Sequence, residues 1–258
     1  MSTSKTYTKA LKDHLNYSAT WLPNVKLSLG DVGILSNYEF IYQTNLKNLG
    51  ITFESAPAGP PANYSYISSN DVTRSLKLSG KAPIPGSMLT EADAGISFSF
   101  HKKDAVVFLA TKCAVQLIAD QDQLKRDIFN SYEDKAWDRN YVVISELVNA
   151  ESTSIVISEG ENAQYDLQAK AGLVPAFEAI NVKGSFSVVN ESQIGFNCIA
   201  ESGMTPLFRC LGVRKTWFRT DVVTRGDLTK VEAKEAKKVP ADTVDEVDYD
   251  DYADGIEP

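Results

Sequence analysis

The sequence predicts an α+β fold, in which helices flank a twisted and mainly antiparallel sheet. Four segments alternate apolar and polar side chains with the period of a half-buried strand. These segments are 71–79, 96–100, 163–171 and 181–189. Two other segments, 105–118 and 140–150, are almost continuously apolar, which is typical of strands buried on both faces. Helical signals occur at residues 4–16 and 120–137.

The first predicted helix, at residues 4–16, carries a stripe of positive charge. Lys5, Lys9 and Lys12 follow one another at spacings of four and three residues, so they share one face. Such a stripe can bind an acidic lipid surface, or it can be an ordinary solvated helix face. The second predicted helix, at residues 120–137, opens with acidic residues, as the N-terminus of a helix favours.

The alternating segments form two consecutive pairs, and each pair has one apolar row. In the first pair the row consists of Val72, Leu76, Leu78, Ile96, Phe98 and Phe100, and Arg74 interrupts it. In the second pair it consists of Tyr165, Leu167, Ala169, Val182, Phe186 and Val188. The polar positions between them include Lys77, Asp166, Gln168, Lys170 and Lys183. Four half-exposed strands of a monomeric sheet have the same period, so alternation alone does not indicate a membrane protein.

The formal net charge of −8 comes from the end of the chain. Residues 241–258 contain eight Asp and Glu residues and no Lys or Arg, and the rest of the chain has equal numbers of basic and acidic residues. Runs of like charge are usually disordered. The predicted organisation is therefore a folded domain at 1–225 and a charged, acidic, disordered tail at 226–258.

No motif nominates an enzyme active site. The chain contains two histidines and no HExxH, GxSxG, Walker-type or CxxC motif. The three cysteines are widely spaced, which favours small buried hydrophobes over a metal site. Basic residues are scattered, so nucleic acid is not an expected partner. We predict a non-enzymatic protein without a cofactor or metal, although a catalytic site dispersed along the sequence would leave no motif.

One strand carries a family resemblance. Residues 140–148 read NYVVISELV and follow the second predicted helix. The residues are Asn140, Tyr141, Val142, Val143, Ile144, Ser145, Glu146, Leu147 and Val148. This stretch resembles the segment before the second membrane-inserting hairpin of the gasdermin pore-forming domain. The likeness extends over most of residues 5–215, in the order basic helix, first alternating pair, motif, second alternating pair. Because about forty residues follow the body, the chain is most similar to the compact fungal regulator-of-cell-death type.

The resemblance implies a pore-forming effector with a gasdermin N-terminal-domain-like fold. The inactive monomer would be cytoplasmic, and the active protein would lie at the plasma membrane. Lys5, Lys9 and Lys12 would bind acidic phospholipids, and many copies would self-associate into a large ring. The two apolar rows would face lipid, and Lys77, Asp166, Gln168, Lys170 and Lys183 would face the lumen. The outcome would be lytic regulated cell death in allorecognition or defence.

Two questions remain open at the level of sequence. The alternative function is a soluble binding or regulatory module whose antiparallel sheet stays monomeric. Activation would come from a diverged homologous partner or from a protease. Because the tail has few large apolar residues, it should bury little surface against the body. We therefore expect deletion of 241–258 to change activity only modestly.

Overall fold

The computed structural model describes residues 2–218 and 239–252, and it is an α+β structure with mostly antiparallel sheets. The two α-helices in these residues are α1, Thr3–Leu15, and α2, Gln121–Glu133. The strands are β1 Ser18–Ala19, β2 Asp31–Ser36, β3 Glu39–Asn45, β4 Ser55–Pro57, β5 Ala62–Ile67, β6 Val72–Lys77, β7 Gly95–Phe100, β8 Val106–Ile118, β9 Val142–Ala150, β10 Ser152–Ser158, β11 Ala163–Ala169, β12 Phe186–Ser192, β13 Ile194–Glu201, β14 Met204–Phe218 and β15 Val239–Val247.

Eleven strands form the larger sheet, whose main path runs β1-β14-β9-β8-β10-β13. The predicted buried strands lie at its centre as β8 and β9, and every residue of the neighbouring strand β10 is buried. The first half of β8 pairs with β10 and the second half pairs with β9. Between the two halves, Lys112 has a positive φ of 48°, a conformation that bends the strand away from regular pairing. The long strand β8 therefore joins the two halves of the sheet.

The remaining four strands form a separate sheet in the order β12-β11-β7-β6. This sheet contains both alternating pairs, with β6 and β12 at its edges and β7 paired to β11 in the middle. In the register Val72 and Ala163 both lie opposite Phe100. The two predicted pairs are thus neighbouring hairpins of one sheet.

The last alternating segment begins later than its pattern predicted. Residues Phe177–Asn181 form a 3₁₀ turn, and β12 begins only at Phe186. Gly184 has a φ of 77°, a left-handed conformation that glycine adopts without a steric cost and that ends an extended run. Val182 and Lys183 therefore lie in the loop before β12, and the prediction that they belong to a strand is wrong.

The apolar face of the four-stranded sheet packs on the larger sheet. Phe98, Tyr165 and Leu167 share one buried cluster with Val107 and Val156 of the larger sheet. Burial of this kind contributes roughly 1.5–3 kcal/mol for each large side chain. The hydrophobic effect therefore holds the two layers together in this structure.

Both predicted helices are present, and side chains cap them. Ser2 accepts a hydrogen bond from the Lys5 amide at the start of α1, and Asp120 accepts one from the Gln123 amide at the start of α2. Tyr7 and Leu11 bury the inner face of α1, while its lysines remain on another face. The capping residues explain why each helix begins within a few residues of its prediction.

The acidic end of the chain is more structured than its composition predicted. Strand β15 pairs with β14 over nine residues, from Phe218 opposite Val239 to Cys210 opposite Val247. A 3₁₀ turn, Tyr249–Tyr252, follows. The prediction of a disordered tail is wrong for 239–252, because an open edge of β14 supplies hydrogen bonds that composition does not reveal. The predicted domain boundary at 225 lies outside the described residues.

Candidate functional site

In the four-stranded sheet, the apolar side chains are buried on the central strands and become exposed toward the two edge strands. Six of the predicted apolar-row side chains are buried: Val72, Ile96, Phe98, Phe100, Tyr165 and Leu167. Four others are exposed: Leu76, Leu78, Val182 and Val188. Ala169 and Phe186 are half-buried. The exposed residues lie on or beside β6 and β12, so apolar surface accumulates at the two edges of the sheet.

Arg74 is a charged residue within the apolar row, and it packs against an aromatic ring. It lies opposite Phe98 in the β6–β7 register, on the inward side of the edge strand. Its guanidinium carbon lies 4.6 Å from the centroid of the Phe177 ring. A cation over an aromatic face keeps part of its attraction at an exposed edge, and its stem covers apolar surface. Arg74 therefore packs on the 3₁₀ turn before β12.

The polar face of the same sheet is largely covered. Lys77 is 2% exposed and Asp166 is fully buried, so in this closed structure neither side chain meets water, unlike the wet face of a half-exposed strand. The cover is the loop 78–94 between β6 and β7, whose Leu89 is also buried. Lys170 and Lys183, beyond the covered area, are exposed, and Gln168 is half-buried. Sequence periodicity identified the polar face but not the loop that covers it.

Asp166 is ionised within this covered face. Burial alone raises the pKa of its carboxyl, but hydrogen bonds from Met88, Gln164, Ser97 and Asn190 outweigh burial and lower the pKa overall. The Met88 amide donates to Oδ2 at 2.8 Å, and Gln164 Nε2 donates to Oδ1 at 2.9 Å. Hydrogen bonds to the charged form lower a carboxyl pKa in this way. A buried negative charge is therefore stably held at neutral pH.

The predicted lipid-binding lysines lie together on α1, and two of them contact the acidic end of the chain. Lys9 Nζ lies 3.1 Å from Asp250 Oδ1. Lys12 Nζ lies 3.4 Å from Asp248 and 3.6 Å from Glu246. The hydrogen bond to Asp250 raises the pKa of Lys9.

Lys5 makes a different contact, over the ring of Tyr38 at 5.3 Å from its centroid. The acidic segment 239–252 is anchored under these ion pairs by the buried side chains of Val244, Val247 and Tyr249. The expectation that the tail buries little surface is therefore wrong. In this structure the basic stripe is partly neutralised by the chain itself.

Residues 142–148 of the motif form most of β9, and one of them has a role that sequence did not predict. Glu146 accepts a hydrogen bond from the hydroxyl of Tyr17, which follows α1, and its carboxylate lies 3.8 Å from Arg209 of β14. Arg209 in turn stacks 4.5 Å from the centroid of the Tyr17 ring. Burial and the bond to Glu146 both raise the pKa of Tyr17. This polar group joins Tyr17, just after α1, to β9 and β14.

One buried group between the two sheets is poorly satisfied. The hydroxyl of Tyr165, on the apolar face of β11, has no hydrogen-bond partner among the described residues. A buried hydroxyl without a partner costs about 1–3 kcal/mol. The contact between the four-stranded sheet and the larger sheet is therefore less favourable than its apolar area indicates.

No family model matches the chain, and no curated protein gives a significant match. Within residues 2–218 and 239–252, no cluster of three or more His, Cys, Asp or Glu side chains has the arrangement of a metal site. In the same residues, no helix is both long and apolar enough to cross a membrane.

Proposed function

We propose that this protein is a non-enzymatic pore-former with a gasdermin-like fold, and that it permeabilises membranes containing acidic lipids. One observation supports the proposal most strongly. The two amphipathic pairs are neighbouring hairpins of a separate four-stranded sheet, and both outer strands of that sheet carry exposed apolar side chains. A sheet that can leave the body and extend at both edges is what a multi-subunit barrel requires, because a closed barrel has no unpaired backbone in lipid.

Strand length sets a condition on this mechanism. Strands β6 and β7 have six residues each, and β11 and β12 have seven each. A tilted strand needs about 9–11 residues to cross a bilayer. Each hairpin must therefore lengthen by recruiting residues from its connecting loop. The exposed Leu78, one residue beyond β6, continues the apolar row into that loop.

In the extended state, the apolar rows would face acyl chains, and Lys77, Asp166, Gln168, Lys170 and Lys183 would face the aqueous lumen. Because charge on the lipid face of a barrel is unfavourable, the charges of Lys77 and Asp166 favour a lumen position for the face that carries them. Edge strands β6 and β12 would pair between copies, giving a head-to-tail contact that closes as a ring.

Membrane attachment is assigned to Lys5, Lys9 and Lys12. Lys9 and Lys12 must first lose their ion pairs with residues 246–250, so activation includes displacement of this acidic segment. A homologous partner that pairs with β14, or a protease that cuts before β15, would each produce that displacement. The monomer would be cytoplasmic, and the ring would form at the plasma membrane and cause lytic cell death in allorecognition or defence.

The second candidate is a soluble binding module that keeps its sheet closed. The complete burial of Phe98, Tyr165 and Leu167 favours it, because these residues already serve the protein's own core. The two candidates differ in what they predict for membranes. A binding module releases no vesicle contents under any activating condition.

The test is dye release from vesicles that contain phosphatidylserine or cardiolipin, with neutral vesicles as the reference. Because residues 246–250 form ion pairs with Lys9 and Lys12, the sequence-based expectation that deletion of 241–258 changes activity only modestly is replaced here. We expect little release by the full chain and strong release after removal of residues 239–258, accompanied by ring-shaped oligomers. In that truncated chain, the triple variant Lys5→Gln, Lys9→Gln, Lys12→Gln should lose binding to the acidic vesicles. The control is Lys102→Gln, Lys103→Gln, which removes lysines outside α1. If no condition, including a homologous partner, produces release or large oligomers, the binding module is the correct reading.

A further inference from the structure

The loop 78–94 is a folded cover over the polar face of the four-stranded sheet. Its two ends are joined by a hydrogen bond of 2.8 Å from the Gly80 amide to the Glu91 carbonyl. Its buried Leu89 packs on Gly95 of β7, where an added Cβ would lie only 2.9 Å from a Leu89 methyl carbon. Glycine is required at the start of β7 because an added Cβ would also clash with the backbone carbonyl oxygen of Leu167. The loop is therefore packed against the sheet and is not an open excursion.

Lys77 closes the loop on itself. Its buried ammonium donates to the carbonyl oxygens of Lys81 at 3.0 Å, Asp93 at 3.1 Å and Glu91 at 3.3 Å. An ammonium has three donors, so these carbonyls use its full capacity. All of these contacts lie within the first hairpin and its own loop. Lys77 therefore stabilises the loop locally.

Asp166 makes contacts of a different kind, because they cross between hairpins. Its carboxylate accepts a hydrogen bond from the backbone N–H of Met88, at the far side of the loop. It accepts another from the side-chain amide of Asn190 on β12, at 3.0 Å. It also accepts a hydrogen bond from the side-chain amide of Gln164, on its own strand. One buried charge on the second hairpin thus holds the loop of the first hairpin and both strands of the second.

The geometry points to Asp166 as a latch that makes the two hairpins open together. The loop cannot leave the polar face while Asp166 binds the Met88 amide, and release of the loop exposes a buried carboxylate to water. The inference rests on the proposed function, in which both hairpins extend. Its consequence for assembly is that a subunit with only one hairpin released is rare, so inserted copies contribute both hairpins at once.

Hydrogen exchange of the soluble protein tests the latch without a membrane. With Asp166→Asn, which replaces an acceptor oxygen by a donor, we expect exchange to rise about tenfold or more both in 78–94 and in β11 and β12. With Lys77→Met we expect a comparable rise in the loop and β6 alone. The matched control is Glu91→Gln, an exposed carboxylate on the same loop, which should leave both regions unchanged.

A rise confined to the loop in Asp166→Asn would overturn the latch, as would an equal rise in both hairpins for Lys77→Met. If Asp166→Asn does not fold, native-state exchange of the unmodified protein at increasing urea concentration decides. The amides of Met88 and Leu167 should then open with the same dependence on urea, and separate dependences reject the coupling. Failure of vesicle release would overturn the proposed function and leave these exchange results standing.

Discussion

The two sheets of this protein satisfy their buried groups in different ways. In the larger sheet, β10 is buried along its whole length, and β9 and the first half of β8 are buried almost throughout. The buried side chains of these strands are apolar groups and Ser or Thr hydroxyls, and none of them is charged. In the four-stranded sheet one face is apolar, while the other holds the buried charges of Lys77 and Asp166 under a loop. Polar contacts can be exchanged for contacts with water at little net cost, but apolar contacts cannot. Under the proposed function, the larger sheet would be the fixed body and the smaller sheet the part that moves.

The largest effects should come from cavities made in each sheet. Leu167→Ala in β11 and Ile155→Ala in β10 remove equally buried side chains, so each should lower the free energy of unfolding by about 2–4 kcal/mol. Only Leu167 packs in the contact between the sheets, so only its variant should release vesicle contents faster than the unmodified chain. Chemical denaturation and dye release measure the two properties separately. Equal release rates for the two variants would remove the distinction between a fixed and a moving sheet.

A smaller effect on stability, with a large effect on function, is expected at exposed apolar positions. Leu76 of β6 is 54% exposed and Ile41 of β3 is 45% exposed, so an aspartate at either site should change stability by no more than about 0.5 kcal/mol. Leu76→Asp would place a charge on the lipid face of the proposed barrel and should reduce vesicle release at least about tenfold. Ile41→Asp is the matched control in the larger sheet and should retain release. If both variants keep full release, β6 does not enter the membrane.

The smallest effect should come from single hydroxyl groups. Tyr165→Phe removes a buried hydroxyl without a partner among the described residues, so it should stabilise the closed protein by about 1 kcal/mol and slow release. Tyr17→Phe removes the hydroxyl that donates to Glu146, so it should destabilise by a similar amount. Thermal melts of the pair should therefore shift in opposite directions. A downward shift of both melts would show that the Tyr165 hydroxyl is satisfied in solution.

The sequence predicted much of the secondary structure because those signals are local. The alternating segments at 71–79, 96–100 and 163–171 contain strands, and the lysine spacing predicted a helix whose observed bounds are Thr3–Leu15. The alternating apolar side chains at 181–189 were misleading, since Val182 lies in a loop. Apolar and polar side chains can alternate with a period of two in any segment, whether or not its backbone pairs with a neighbouring strand. Only the turn at Gly184 decided where the strand starts.

The candidate site depended on contacts between distant residues. Nothing near Lys77 in sequence shows that its ammonium binds the carbonyls at 91 and 93, and nothing near Lys9 shows that Asp250 lies beside it. Composition indicated a disordered acidic tail because it counts apolar groups and charges. Composition does not show that β14 has an open edge on which β15 pairs, or that a basic helix lies beside that segment.

Local pattern was therefore enough to establish which side chains share a face, since the period of a strand or helix is a property of neighbouring residues. Tertiary structure decided which faces are covered and by what. Pairing of β7 with β11, closure of 78–94 over Asp166 and docking of 239–252 on β14 each join residues far apart in the chain. Such contacts form only when the hydrogen bonds and burial of the whole fold offset the entropy of closing long loops. That balance is a property of the assembled chain.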